Sequence, residues 1–278
     1  TSRNARYLTQ LAGRTDIPVY AGYDKPMFSK LERAEDVHGN SGMGDMEFEE
    51  PKKQLEAGHA VDFMVDTFMN QEHVTLVTLG PLTNVAQAIL KEPRLKERIF
   101  EILCMGGSAT AGNYNGCVEF NMAVDPEAAK IVFDSGIRIK MVGLNLCRQN
   151  SMTREDVAIL ERMPNQVAKA AAELLEFSVN GDRQAQLCDA CAISWLIDPG
   201  VVTCALPLHV DVETKGEYTR GMTVCDYRDY IGVTPELDID RTIRFQISDT
   251  VRNATVAMEF DAGRFKKLLF DTLESYEK

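Results

Sequence analysis

The chain has 278 residues and a formal net charge of −12. That length suits one large α/β domain or two small ones, and the acidic balance speaks against a nucleic-acid backbone as partner, which calls for basic surface. No apolar run approaches a membrane span, the N-terminus lacks an apolar signal core, and seven cysteines without framework spacing point to reduced thiols in a cytoplasmic protein.

In chain order, Ala5, Leu8, Leu11 and Ala12 share one face and predict a first helix. Pro18-Val19-Tyr20-Ala21-Gly22 reads as a short buried strand. From Lys25 to Pro51 the chain is polar and glycine-rich, centred on His38-Gly39-Asn40-Ser41-Gly42-Met43-Gly44-Asp45. A loop of that length is functional or mobile, and it is expected to close over a ligand. Leu55, Val61, Met64, Val65 and Phe68 mark the next helix. Val74 to Leu79 is the apolar run of a strand covered on both faces, and Gly80-Pro81-Leu82-Thr83-Asn84 turns into another helix.

Phe100 to Met105 predicts a strand, Pro126 to Ser135 a helix stopped by Gly136, and Ile137 to Val142 a further strand. Thr153 to Ser178 reads as mostly helical, and Asp189 to Leu196 as one more helix. Strands follow near 210–212, 222–225, 243–247 and 256–260, before a closing amphipathic helix with Phe265, Leu268, Leu269 and Leu273. Alternating strands and helices imply a parallel sheet with crossover helices. No repeat or linker interrupts the chain, so residues 1–278 read as one domain.

The loop after the Phe100–Met105 strand carries the densest chemistry: Asn113-Tyr114-Asn115-Gly116-Cys117-Val118-Glu119-Phe120-Asn121, then Asp125-Pro126-Glu127-Ala128-Ala129. Ligands of open α/β sheets sit at the carboxyl ends of strands. Amides donate and accept while carboxylates accept, which suits sugar hydroxyls. Asn and Gly also mark plain surface turns, so these residues alone leave a sugar site and a turn equally open.

The neighbouring motifs resolve that. Pro18-Val19-Tyr20-Ala21-Gly22, His38-Gly39 with Gly42, Gly80-Pro81-Leu82-Thr83-Asn84, Met105-Gly106-Gly107, Glu119-Phe120-Asn121, Asp125-Pro126-Glu127-Ala128-Ala129, Cys188-Asp189 and Thr223-Val224-Cys225-Asp226 run in one order along the chain. Together they resemble the inosine-uridine type nucleoside hydrolases, which cleave the N-glycosidic bond of ribonucleosides. The resemblance implies a doubly wound α/β fold, a mostly parallel sheet with flanking helices, and a Ca²⁺ ion. By the same resemblance Asp189 and the backbone carbonyl of Leu79 are metal ligands. Asn113, Glu119 and Asn121 hold the ribose hydroxyls, Met105 packs against the sugar, and His38 lies on the closing loop. Cys188 stands where many relatives carry a histidine that protonates the leaving base. A thiol of ordinary pKa, about 8.5, can donate that proton less readily than imidazole.

The family's opening D-x-D-x-G-x-D-D cluster is absent from these residues, and with it the first strand, helix and second strand. Calcium takes about six to eight oxygens, so the chain as it stands is expected to bind the ion weakly and to be catalytically poor. The expected activity is hydrolysis of ribonucleosides to ribose and base. The alternative is a non-catalytic nucleoside- or ribose-binding protein that lost its metal. By resemblance the protein is a homodimer or homotetramer acting on a small ribonucleoside, with no nucleic-acid or membrane partner. Cys188-Asp189-Ala190-Cys191 also spells C-x-x-C, which read alone fits a redox pair or half a zinc site, but no second C-x-x-C or close His pair supports zinc, and the Asp189 match speaks against a redox role. Glu47, Glu49 and Glu50 read as a solvated acidic run, Trp195 as core, and Asn180 as a residue near the base.

Overall fold

A computed structural model describes residues 1–179, 184–228, 230 and 251–276. Twelve helices are described: α1 (Ser2–Leu11), α2 (Glu35–His38), α3 (Ala60–Asn70), α4 (Thr83–Lys91), α5 (Leu95–Arg98), α6 (Phe120–Val124), α7 (Pro126–Phe133), α8 (Leu144–Cys147), α9 (Arg154–Glu161), α10 (Gln166–Ser178), α11 (Cys188–Ile197) and α12 (Ala262–Glu274). The strands are β1 (Leu76–Thr78), β2 (Glu101–Met105), β3 (Arg138–Val142), β4 (Val202–Val212), β5 (Thr223–Asp226) and β6 (Ala254–Phe260).

They form one mixed sheet in the order β1-β2-β3-β6-β4-β5. The first three strands and β6 run parallel, while β4 pairs antiparallel with both β6 and β5. Crossover helices cover both faces, as parallel strands require. One apolar layer joins Val85, Ile89, Val132 and Phe133 of α4 and α7 to Ile102, Ile139 and Met141 of the strands. The opposite layer joins Cys147, Cys191, Trp195 and Phe265 to Leu103, Met105 and Val142. Alternate residues of β2 and β3 thus enter different layers, the period-two rule of a strand. Trp195 is core, as its helical position implied.

The expected strand at 18–22 is not part of the sheet. Its backbone makes only local contacts with the 56–60 segment: Glu56 and Ala60 donate to the carbonyls of Val19 and Ala21, and Ala21 bridges His59. The segment from Lys25 to Pro51 contains one short helix, α2, and is otherwise irregular. Its packing comes from Met43, Met46 and Phe48 meeting Tyr7, Leu11 and Leu174. The acidic run Glu47, Glu49 and Glu50 is exposed, as expected, and within it Glu50 pairs with Arg3 and Arg6 of α1. The strand expected at 243–247 and Asn180 lie outside the described residues. No helix among the described residues is long and apolar enough to cross a membrane.

The order of the strands decides where chemistry gathers. Thr78 is level with Cys104, and Cys104 with Met141. Leu79, Met105-Gly106-Gly107 and Val142-Gly143 therefore leave the sheet side by side, at the carboxyl ends of three adjacent parallel strands.

Candidate active site at the carboxyl ends of the strands

The loop after β2 is built by its own polar side chains. Asn115 closes the turn by accepting from the N–H groups of Cys117 (3.0 Å) and Val118 (2.9 Å). Asn113 Oδ1 accepts from Phe120 N–H at 2.9 Å. Its Nδ2 remains to meet a ligand as a donor. Glu119 caps α6: Oε1 accepts from Asn121 N–H at 2.8 Å, and Oε2 from Gly107 N–H at 2.8 Å and Met122 N–H at 3.1 Å. Asn121 Nδ2 donates to the Met105 carbonyl at 3.2 Å, which leaves its Oδ1 as an acceptor.

Gly107 is required by this arrangement. Its φ is +71°, and a Cβ there would stand 2.8 Å from Thr223 Oγ1. Only glycine adopts that backbone while approaching so closely. Thr223 in turn accepts from Ser108 N–H at 2.9 Å, tying β5 to the loop.

Glu119 is 3% exposed. Burial raises its carboxyl above the ordinary value, the three N–H groups pull it back, and the charge of Asp189 raises it again. Cys188 and Ala190, on either side of Asp189, pack in the same apolar layer as Met105, so the start of α11 lies beside the end of β2. Asp189 sits in the first turn of α11, where the partial positive charge of a helix N-terminus favours an anion. It opens to solvent, yet the protein crowded around it pushes its carboxyl up to about 6. No hydrogen-bond donor contributes to that shift. A carboxylate so placed suits a cation.

The structure thus brings Met105, Glu119, Asn121 and Asp189 together, with Asn113 on the same loop and Leu79 at the adjacent strand end. Cys188, the first residue of α11, is partly buried beside Asp189. His38 is exposed at the end of α2, and its backbone carbonyl accepts from Gly44 N–H at 2.8 Å. Gly44 lies against the Phe177 side chain of α10. A cavity of about 390 Å³ lined by Glu35, Asn40, Asp45 and Phe177 opens between this loop and α10.

Calcium can be tested against these donors. The open carboxylate of Asp189 and the carbonyl of Leu79 suit a hard cation. They are two of the about six to eight oxygens calcium takes, and among the described residues no three His, Cys, Asp or Glu side chains converge as a metal group. The donors present therefore fit part of such a site.

Two contributors were not anticipated from the sequence. Arg148, just past α8, donates from Nη1 to the Ala111 carbonyl at 2.8 Å and from Nη2 to the Gly112 carbonyl at 2.6 Å. It clasps the stem of the Asn113 loop. Asn145 accepts from Ala109 N–H at 3.1 Å and donates to the Ala257 carbonyl at 2.9 Å. Both contacts span tens of residues, so no local spacing announces them. Because Arg148 holds only the stem, Arg148→Ala is expected to raise KM for a nucleoside about tenfold or more, with a smaller effect on kcat. Steady-state kinetics on the folded variant checks this.

Cys147, at the end of α8, is fully buried. Hydrogen bonding with Cys188 and Cys191, and then burial, push its thiol well above the ordinary range. The other motif residues are structural. Asp125 is fully buried and accepts from Thr83 Oγ1 (2.6 Å) and from the N–H groups of Met27 (2.9 Å) and Ala128 (3.2 Å). Asp226 pairs with Arg228, which holds its carboxyl down at about 2.

Comparison with known proteins follows the same outline. Residues 1–267 match the family model described as inosine-uridine preferring nucleoside hydrolase. The pyrimidine-specific ribonucleoside hydrolase RihA of Shewanella woodyi is 37% identical over 286 residues, covering 100% of this chain and 86% of the relative. That of Enterobacter sp. strain 638 is 41% identical over 253 residues, covering 87% and 80%. Among solved structures, a purine-preferring ribonucleoside hydrolase from Gardnerella vaginalis superposes with a TM-score of 0.85 at 28% identity, over 99% of this chain and 85% of that one.

Proposed function

The chain belongs to the inosine-uridine preferring nucleoside hydrolase family, and from that membership we propose a pyrimidine ribonucleoside as its preferred substrate. The reaction is hydrolysis of the N-glycosidic bond, giving ribose and free base. Support for the pyrimidine preference comes from sequence distance. Relatives named pyrimidine-specific are 37–41% identical, whereas the purine-preferring structure is 28% identical.

In this reading the loop after β2 binds the sugar. Asn113 Nδ2 donates to a ribose hydroxyl, Asn121 Oδ1 accepts from one, and Glu119 uses its fourth lone-pair site as an acceptor. Met105 packs against the ring. Such fixed dipoles favour the oxocarbenium-like state through which glycosides break. Water supplies hydroxyl to the anomeric carbon, its released proton passes through solvent to restore the Cys188 thiol, and the base leaves with the nitrogen of the broken bond. Cys188 gives the leaving base a proton, and His38 closes over it from the loop.

Calcium belongs to the same proposal. Asp189 and the Leu79 carbonyl would hold it, and when bound the ion orients sugar hydroxyls and acidifies a water. A homodimer or homotetramer in the cytoplasm, expected by resemblance, also stands as a proposal; light scattering tests the assembly.

The observation that carries the reading is the buried Glu119 carboxylate, which holds the Gly107 and Asn121 N–H groups at the end of β2. Its test compares uridine, cytidine and inosine by chromatography of the released base. Uridine and cytidine are expected to give the higher kcat/KM. Equal or higher turnover of inosine would overturn the pyrimidine preference. Cys188→Ala is expected to lower kcat by about a hundredfold, the usual scale for losing a general acid. Its calcium affinity, followed by titration calorimetry, should stay within a factor of about three, since the scale of a lost ligand shell contact is larger.

A further inference from the structure

The turn between β4 and β5 reaches three parts of the molecule that the sequence keeps far apart. Its shape is set by Glu213, whose carboxylate accepts from the N–H groups of Lys215 (2.6 Å) and Gly216 (2.7 Å) and from Thr219 Oγ1 (2.6 Å). Gly221 closes it at a φ of +95°. A Cβ there would stand 2.9 Å from Val118 Cγ1 and 3.0 Å from Ala123 Cα, so the turn lies directly on the sugar loop and α6. The Tyr218 carbonyl accepts from Asn115 Nδ2 at 3.1 Å and from Cys117 Sγ at 3.4 Å. Arg220 Nη2 donates to the two carboxylate oxygens of Glu127 on α7 at 2.6 and 2.8 Å, and to Ser29 Oγ at 3.2 Å. Ser29 belongs to the segment that carries His38.

We propose that Arg220 is a positioning residue for nucleoside hydrolysis, which fixes the stem of the His38 segment to the wall of the sugar site. Three contacts define that stem. Met27 N–H donates to the buried Asp125 carboxylate at 2.9 Å, Ser29 takes the Arg220 hydrogen bond, and Glu32 accepts from Tyr114 Oη at 3.0 Å. Beyond Glu32 comes α2, with His38 at its end. Asp125 caps α7, and Tyr114 directly follows Asn113 in the sugar loop. Glu127 holds the guanidinium by charge-assisted bonds, and both partners are half-buried. Ser29 thus meets a donor already fixed in place.

The consequence falls on affinity. A nucleoside needs the ribose contacts of Asn113, Glu119 and Asn121 and the His38 segment in place at once. A stem docked only part of the time lowers the apparent affinity by the docked fraction. Once substrate has closed the site, the reacting groups stand as before, so kcat changes little. A role in stability alone has a different signature: fewer folded molecules lower the apparent kcat and leave KM unchanged. The kinetic effect rests on the nucleoside-hydrolase reading; the docking itself does not.

The experiment uses the protein as its gene encodes it, and reads steady-state kinetics with uridine beside amide hydrogen exchange. In Arg220→Ala, KM is expected to rise about tenfold with kcat within about threefold. Amides of residues 27–38 should exchange at least about tenfold faster, while those of α7 keep their rates. Ser29→Ala leaves the Arg220–Glu127 pair intact, and should raise KM about threefold and loosen only the amides of 27–38. It keeps the test sound if Arg220→Ala fails to fold. Ser29→Thr restores a hydroxyl and should return KM to the wild-type value. An unchanged KM in Ser29→Ala, or unchanged exchange at 27–38 in either variant that folds, overturns the positioning role. Exchange accelerated equally in α7 marks a general loss of stability and overturns it too. No hydrolysis of uridine, cytidine or inosine by the wild type overturns the hydrolase reading and leaves the exchange at 27–38 to decide the docking.

Discussion

Asp189→Asn is expected to lower kcat/KM by at least about a hundredfold while making the cation-free protein more stable at neutral pH. Both outcomes follow from one carboxylate. Crowding raises its pKa to about 6 from the ordinary 3.8, so the folded protein holds the neutral form more readily than the unfolded chain does. The stability linked to that shift is fully present below about 4 and is lost as pH rises through about 6. The amide is neutral throughout and escapes the loss. In a chelating buffer the melting temperature of Asp189→Asn should exceed the wild type at pH 8 and match it near pH 4. Added calcium should reverse the order at pH 8, because only the carboxylate gains a partner. Cation affinity should fall as acid titrates the group through about 6. A variant less stable than wild type in chelator at pH 8 would mean that Asp189 is satisfied by the protein alone.

Glu119→Ala is expected to remove nearly all activity and to destabilise the protein by about 2–5 kcal/mol. Its carboxylate takes three backbone N–H groups. Each donor left buried without an acceptor costs about 1–3 kcal/mol, and not all of that is recovered by relaxation or water. The loss also uncaps α6 and frees Gly107, so the sugar loop and the end of β2 separate. Glu119→Gln is informative beside it. An amide keeps one oxygen but turns its NH₂ toward a backbone donor, so part of the stability should return without the activity. Thermal unfolding and steady-state kinetics on both variants check this. Activity in Glu119→Ala within tenfold of wild type would show that the loop is held by other groups.

The contrast between these two residues shows what the sequence made legible. Asp125 stands directly before Pro126, a start signal that forecasts α7, whereas α6 lies within the stretch read as a loop and was not foreseen. The apolar run at 74–79 and the helix stop at Gly136 likewise placed strands and helices with only their ends shifted. Local rules failed where a contact is long-range. Pro18 to Gly22 looks like a strand by composition, but a strand needs a partner strand, and the 56–60 segment offers it two backbone hydrogen bonds and the isolated Ala21–His59 bridge. Arg148 and Asn145 reach residues 36 or more positions away, and no spacing within one element encodes such a meeting. The antiparallel return of β4 beside β6 was hidden for the same reason. Glu50 is exposed as expected, and its pairing with Arg3 and Arg6 went unforeseen because those arginines lie on α1.

The roles of Asn113, Glu119 and Asn121 came from resemblance, and the geometry adds which atom of each is free. Asn113 offers a donor and Asn121 an acceptor, because their other amide atoms are spent on Phe120 and Met105. This polarity is a constraint on how a ribose can lie. It also explains why Arg148, which touches no sugar atom in this account, still bears on affinity.

Product analysis tests the central claim most directly. The protein as its gene encodes it is incubated with uridine and calcium in phosphate-free buffer, and the products are separated and identified. Uracil and free ribose are expected in equal amounts, unchanged in yield when phosphate is added, and lost in Asp189→Ala. Uridine recovered intact, or uracil formed only with phosphate and accompanied by ribose 1-phosphate, would contradict it.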